Sequence, residues 1–308
     1  MKILITGATG FIGKNFVKAI TKNQKYKIAI IVRKKLPKKN DLNQLKSLKI
    51  FISNLDDFHR LDKIFNDFKP SIIYHFAWSG VANFERNKNE QIINLVYSSN
   101  LALLSSKYNI KKFIGLGSQA EYGPQNKKLS ENSIAQPSTL YGKMKLNAYL
   151  TLANHFKETK IKFIWLRLFS CFGPGDHDYW FINYLILTLL DNKDANITKC
   201  EQKWDYIYID DLVSLLIKFI IKKTSSNLYN VGSGNVLKLK NIVKFIQKNI
   251  DSKGVINFGA VPYRSDQVMK LIPDVSLLKS DLNWRPKNST YDGILKTINW
   301  YKNKNEYN

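Results

Sequence analysis

Apolar residues fall along the chain in short blocks, separated by stretches whose apolar positions recur every three or four residues. The blocks Lys2–Thr6, Lys27–Val32, 49–53, 72–77, 113–117 and 161–168 are dense in Ile, Val, Leu and Phe. Such runs suit strands buried on both faces. Helical spacing fills the intervals at 12–22, 57–68, 87–108 and 141–155. Strands alternating with helices predict right-handed crossovers and one parallel sheet covered on both sides, an α/β architecture. The rhythm breaks after Gly173-Pro-Gly175. Beyond it come helical patterns at 180–190, 210–222, Leu239–Asn249 and 290–301, mixed with short strands such as Leu228–Val231. This predicts a smaller, interleaved second lobe. The expected division is a first domain over 1–170, with return segments near 205–235, and a second lobe from 171–204 and 236–308. The Lys/Asn-rich tail after Tyr301 reads as frayed.

Composition narrows the picture. The chain has 308 residues, 44% of them hydrophobic and 13% aromatic, which excludes disorder and a small disulfide scaffold. No apolar run reaches the roughly 18 residues of a membrane-spanning helix. The first strand pattern begins at residue 2, so no signal peptide and no membrane attachment are expected, and the location implied is cytoplasmic. Cys171 and Cys200 match no metal spacing and no disulfide framework. The net charge of +24 would attract anions, but only six of the 48 basic residues are Arg. Arg is the residue suited to bidentate phosphate and guanine contacts, and the lysines are dispersed apart from a knot at 33–39. Specific nucleic-acid binding is therefore not expected.

Thr6-Gly-Ala-Thr-Gly-Phe-Ile-Gly13 joins the first strand to the first helix. Gly7 permits a tight turn, Gly10 lets backbone approach a pyrophosphate, and Gly13 lets helix and strand pack closely. The helix N-terminus adds unpaired N–H groups and a positive dipole end. The context predicts a dinucleotide site on a doubly wound sheet of the Rossmann type. Arg33-Lys-Lys35 follows the second strand where an acid would bind a ribose 2′-hydroxyl, which favours NADP(H) over NAD(H), with Lys34 assisting Arg33.

Tyr141-Gly-Lys-Met-Lys145 follows Pro137 and Ser138, a helix-start signal. The spacing of four puts Tyr141 and Lys145 on one helix face. An ammonium there is expected to lower the tyrosine pKa. Ser118, ending the block at 113–117, can hydrogen-bond a substrate oxygen.

In this order the residues resemble an extended short-chain dehydrogenase/reductase of the nucleotide-sugar epimerase/dehydratase/reductase group. Thr6–Gly13 is similar to that family's dinucleotide loop, with Thr9, Phe11 and Ile12 among its cofactor contacts. Asn54-Leu55 stands where the family carries Asp-Leu at the adenine. Ile73-Tyr-His-Phe-Ala-Trp78 resembles the fourth-strand motif, which brings Phe76 and Ala77 to the cofactor and Trp78 to the substrate. Asn94 matches a helix asparagine, and Gly117-Ser-Gln-Ala-Glu-Tyr-Gly123 the serine-bearing strand end. Arg167-Leu-Phe-Ser-Cys-Phe-Gly-Pro174 and Asp205-Tyr-Ile-Tyr-Ile-Asp-Asp211 resemble segments of the substrate lobe. The resemblance implies that Ser118, Tyr141 and Lys145 are catalytic, with Tyr141 and Lys145 also touching cofactor. It implies Ser118, Gln119, Ser170 and Arg264 at the substrate, and a homodimer through the helices at 87–108 and 141–155.

Departures from the family pattern narrow the reaction. Gln119 and Ala120 replace the Asp-Glu pair of the dehydratases, so dehydration is not expected. Ser170 stands for the sugar-lobe asparagine, and Trp204 for the arginine before Asp205, leaving Lys203 as a substitute for the diphosphate. Arg264, in the run 261–266, resembles the late diphosphate-binding arginine. The reading is an NADPH-dependent reductase of a nucleotide-linked 4-keto-hexose, 4-keto-6-deoxy by resemblance, in surface-polysaccharide precursor synthesis. The alternatives are an NAD-dependent 4-epimerase and a non-catalytic dinucleotide-binding regulator.

Overall fold

The computed structural model describes residues 1–37, 40–45, 47–264 and 267–306. The end of the basic knot, Lys38 and Lys39, and Ser265-Asp266 of the 261–266 run lie outside the described residues. Two compact units are present. The first comprises Met1–Gly123, Ser133–Leu168 and Leu215–Tyr229; the second comprises Pro124–Asn132, Phe169–Ser214 and Asn230–Asn308. Residues 124–132, 169–170, 205–214 and 230–235, read from sequence with the first domain, fall in the second unit.

The first unit carries β1 (Lys2–Thr6), α1 (Phe11–Ile20), β2 (Lys27–Val32), β3 (Leu48–Ile52), α2 (Phe58–Phe68), β4 (Ile72–His75), α3 (Ile93–Lys107), β5 (Lys112–Ser118) and α4 (Leu140–Lys157). The strand Lys162–Leu168 follows, and Leu228–Val231 begins in this unit and ends in the second. In space the seven strands run Leu228–Val231, Lys162–Leu168, β5, β4, β1, β2, β3. β1 pairs in parallel with both β2 and β4, Thr6 lying against Ile31 on one side and His75 on the other. The chain therefore winds outward in both directions from the β1/β4 boundary, the switch point where doubly wound sheets bind ligands beyond their carboxyl ends.

Burial explains the block pattern. Ile3, Leu4, Ile5, Ala29, Ile30, Ile73 and Ile114 are all fully buried. Phe113, Phe156 and Phe163 form one aromatic cluster, with centroids 5.2 Å apart for Phe113–Phe156 and 5.4 Å for Phe156–Phe163. Each such pair contributes about 0.5–1.5 kcal/mol beyond its buried area. α2 starts on the Asp57 carboxylate, which accepts from Arg60 N, and stops at Lys69 in the left-handed region at φ 51°.

Some expected elements shift. β4 ends at His75 rather than residue 77, and α3 starts at Ile93 rather than 87. Residues Asn83–Glu85 and Asn89–Gln91 form single 3₁₀ turns, and the Gln91 side chain bonds loop backbone at Gly80 and Glu85. The tail expected to fray is helical to Glu306.

The second unit holds a four-stranded sheet in the order Val236–Lys238, Lys203–Asp205, Lys270–Pro273, Lys128–Leu129. Two small pairs, Ile207–Tyr208 with Cys171–Phe172 and Ile256–Phe258 with Ala195–Ile197, accompany it. Among the described residues no helix is long and apolar enough to cross a membrane.

Candidate active site

The glycine loop leaves β1 at Thr6 and enters α1 at Phe11. Gly7 has φ +72°, and a Cβ there would collide with the Phe76–Ala77 backbone; one on Gly13 would collide with Gly7. Both glycines are demanded by the chain's own packing. At Gly10 a Cβ would meet only Gly7 O, at an ordinary 3.5 Å, so the protein itself leaves that space open. α1 has no side-chain cap and no acid in its first turn. An open glycine face at an uncapped helix N-terminus fits the pyrophosphate of a dinucleotide. Thr9 is exposed, and Phe11 and Ile12 are half-buried beside it.

Beneath the loop runs a buried polar chain. Thr6 Oγ1 lies 2.8 Å from His75 Nδ1, and His75 Nε2 lies 2.9 Å from Ser98 Oγ, which donates to Asn94 O at 2.8 Å. Since the Ser98 proton goes to that carbonyl, Ser98 accepts from His75 Nε2–H and Nδ1 accepts from Thr6. Burial, followed by the Lys145 charge, holds His75 down to about 3. The imidazole is a neutral brace between β1, β4 and α3.

The other cofactor candidates divide. Arg33 and Lys34 stand exposed just after β2. Asn54 is exposed, whereas the Leu55 side chain belongs to the core and its carbonyl accepts from Asn100 at 2.9 Å. Phe76 packs on Phe16 and Tyr74, with centroids 5.5 and 5.4 Å away. Asn94 and Gln91 pin the segment that follows. Asn94 Oδ1 accepts from Ser79 N at 2.8 Å, and Gln91 accepts from Trp78 Nε1 at 2.9 Å while donating to Gly80 O at 2.6 Å.

Ser118, Tyr141, Lys145 and Trp78 come together. Tyr141 lies beside Ser118, whose Oγ accepts from Ala120 N at 3.2 Å, and the Tyr141 backbone N–H donates to Arg86 O at 2.7 Å. The Arg86 guanidinium lies 5.1 Å from the Tyr141 ring centroid. Lys145 Nζ donates to Leu116 O at 2.5 Å and sits 3.8 Å from the Trp78 ring centroid. Burial raises the Tyr141 phenol above its ordinary pKa, against the opposing Ser118 hydroxyl and Arg86 charge. Burial also pushes Lys145 down to about 7, opposed by Glu121. The expected lowering of Tyr141 by Lys145 is therefore reversed: Lys145 is itself desolvated and spends its donors on Leu116 and Trp78, and burial of the phenol dominates. Gln119, next to this cluster, is half-buried.

The sequence profile of the NAD dependent epimerase/dehydratase family matches residues 3–232. The chain belongs to that family. It is an enzyme of the extended short-chain dehydrogenase/reductase type, nucleotide-sugar group. A CDP-abequose synthase of Salmonella muenchen is 28% identical over 96% of this chain and 97% of its own length. A dTDP-D-glucose 4,6-dehydratase of Dictyostelium discoideum is 27% identical, covering 99% of this chain and 82% of that protein. The UDP-glucose 4-epimerase of Thermotoga maritima, solved with UDP-glucose, superposes with a TM-score of 0.88 at 25% identity, over 99% of each chain.

In the second unit, two departures from this family's pattern bond to each other: Trp204 Nε1 donates to Ser170 Oγ at 2.8 Å. The indole and the hydroxyl stand where the resemblance implies an arginine and an asparagine. Lys203 does not replace the missing cation there, because neighbouring strand residues face opposite sides of a sheet. It aligns instead with Lys238 and Lys270 on the adjoining strands. Arg264 is exposed, and its carbonyl accepts from Gln267 N at 3.1 Å.

Sequence reasoning assigned no role to Glu121, Gln91 or Arg86. The signal for Glu121 was present: Ser118-Gln-Ala-Glu121 spells a capping box, and the structure forms it. Gly115 and Gly117 inside a buried strand were a second signal, marking a close approach, here by Trp165.

Proposed function

We propose that this family member is an NADPH-dependent reductase of a nucleotide-linked 4-keto-hexose, with 4-keto-6-deoxy sugars first. The observation that carries the reading is the grouping of Ser118 and Tyr141 with Lys145 one turn on, beside Gln119-Ala120, where no carboxylate stands. That set can move a proton to or from a sugar oxygen, and Ala120 cannot take one from carbon. Tyr141, its pKa raised by burial, keeps its proton at neutral pH and is suited to give it to a developing alkoxide. Ser118 bonds the same oxygen as its charge grows. Lys145 keeps a positive charge beside the pair below about pH 7. When bound, the reduced dinucleotide supplies the hydride. The Gly10 face and the α1 N-terminus would hold its pyrophosphate, and Arg33 with Lys34 suits an adenosine 2′-phosphate. Ser170, Trp204 and Arg264 are assigned to the substrate. The likeness to a CDP-abequose synthase puts CDP-linked sugars first among the candidates. Exposed Val96 and Leu103 on α3 and Leu150 on α4 support a homodimer.

The likeness to a UDP-glucose 4-epimerase supports a second reading, a 4-epimerase that retains NAD. The test is absorbance at 340 nm with NADPH or NADH and a panel of nucleotide-linked 4-keto-6-deoxy sugars, on the wild type, Arg33→Ala and Tyr141→Phe. The reductase consumes NADPH with one sugar, loses its NADPH preference in Arg33→Ala, and slows about 10²–10⁴-fold in Tyr141→Phe. No consumption by any sugar, together with NAD released on denaturation, establishes the epimerase instead.

A further inference from the structure

Glu121 is fully buried and turns back under the residue that caps it. Its Oε1 accepts from Ser118 N at 2.8 Å and from Trp165 Nε1 at 3.0 Å, and its Oε2 pairs with Arg167 Nε at 2.6 Å. The strands make room for it: a Cβ on Gly117 would collide with both the Trp165 indole and the Glu121 carboxylate. Arg167 is covered by aromatic rings, its guanidinium 4.4 Å from the Tyr122 centroid and 5.4 Å from that of Tyr149. A buried ion pair is seldom more stable than the apolar residues that could replace it, so stability alone is a poor reason for this one.

Lys145 supplies the missing reason. Its direct neighbours are neutral, the Leu116 carbonyl and the Trp78 face. Burial works against its charge, and Glu121 is the group that opposes burial. We propose that Glu121, countered by Arg167, is a positioning residue for the catalytic segment: it seats the Ser118 amide and lends negative charge to the Lys145 ammonium. The proposal rests on Ser118, Tyr141 and Lys145 being the reacting groups. The other titratable or charged groups facing this cluster are Tyr141 and Tyr149 on α4, Tyr122 after β5, Arg167 on Lys162–Leu168, Arg86 between β4 and α3, and His75 on β4. Of all these, the Lys145 amine is the one driven to about 7, so it changes charge near neutrality.

Trp78 offers a direct reading of that change, since an ammonium 3.8 Å from its ring centroid perturbs indole emission. The experiment is a pH titration of fluorescence, with Trp78→Phe as the subtracted reference, on the wild type, Glu121→Gln and the charge-free double variant Glu121→Gln/Arg167→Gln. The wild-type transition is expected near pH 7, moving about one unit lower in both variants. The alkaline limb of kcat moves with it, while KM for the nucleotide sugar stays unchanged. A variant with a lower melting temperature but the wild-type midpoint would make Glu121 purely structural and overturn the proposal. If neither variant folds, the wild type decides: a midpoint far below neutrality means that no carboxylate supports the ammonium. The fluorescence arm needs no turnover, so an inactive sugar panel refutes the reductase reading without touching this one.

Discussion

Among the described residues two carboxylates are completely buried, one in each unit, and they are held in opposite ways. Glu121 faces a guanidinium at 2.6 Å as well as an amide and an indole N–H. Asp205 faces only backbone and hydroxyl donors: Ser233 N at 2.7 Å, Ser233 Oγ at 3.0 Å and Gly234 N at 2.7 Å. With dipoles alone as partners, burial pushes Asp205 up to about 6 in spite of its hydrogen bonds. Asp205 is a staple that fixes the loop after Leu228–Val231. Glu121 adds a full opposite charge to the same kind of backbone bond, and that charge reaches Lys145. A buried acid beside a cation can tune its neighbours; one held by dipoles chiefly holds a chain in place.

The comparison can be broken by removing partners. Arg167→Met leaves Glu121 buried without its cation and is expected to cost about 3–5 kcal/mol in urea denaturation. Asp205→Asn keeps one acceptor oxygen but turns an amide N–H toward donors, at an expected cost of about 1–3 kcal/mol. Equal losses would erase the distinction between the two sites. The most gradual effect is in pH. Asp205 has its pKa raised on folding from an ordinary 3.8 to about 6, so its stabilisation is complete below about 3.8 and lost as pH rises through about 6. Wild type minus Asp205→Asn should therefore decline by about 1.4 kcal/mol per pH unit across that window. A flat difference would show that Asp205 is already ionised in the folded chain.

Legibility followed the range of the interactions. β1 and β2 were readable to the residue because an unbroken apolar run has one way to be buried on both faces. The glycine loop and the Tyr141/Lys145 pair were readable because their requirements are local: a positive φ at Gly7, and a spacing of four on one helix face. The 3₁₀ turns before α3 were not; there Gln91 and Asn94 reach back to loop backbone. Nor was the bond between Ser170 and Trp204, two departures 34 residues apart that contact through tertiary structure.

The sequence by itself determined the parallel sheet, the glycine loop between the first strand and helix, and the placing of Tyr141 and Lys145 on one helix face, because each follows from a short-range pattern of residues. Only the tertiary structure decided the electrostatics of the Ser118/Tyr141/Lys145 set. It reversed the expected shift of Tyr141, set Lys145 near 7, kept His75 neutral, and placed the Glu121–Arg167 pair beneath them. The reason is that desolvation depends on everything packed around a group, and that packing is drawn from strands and helices far apart in sequence.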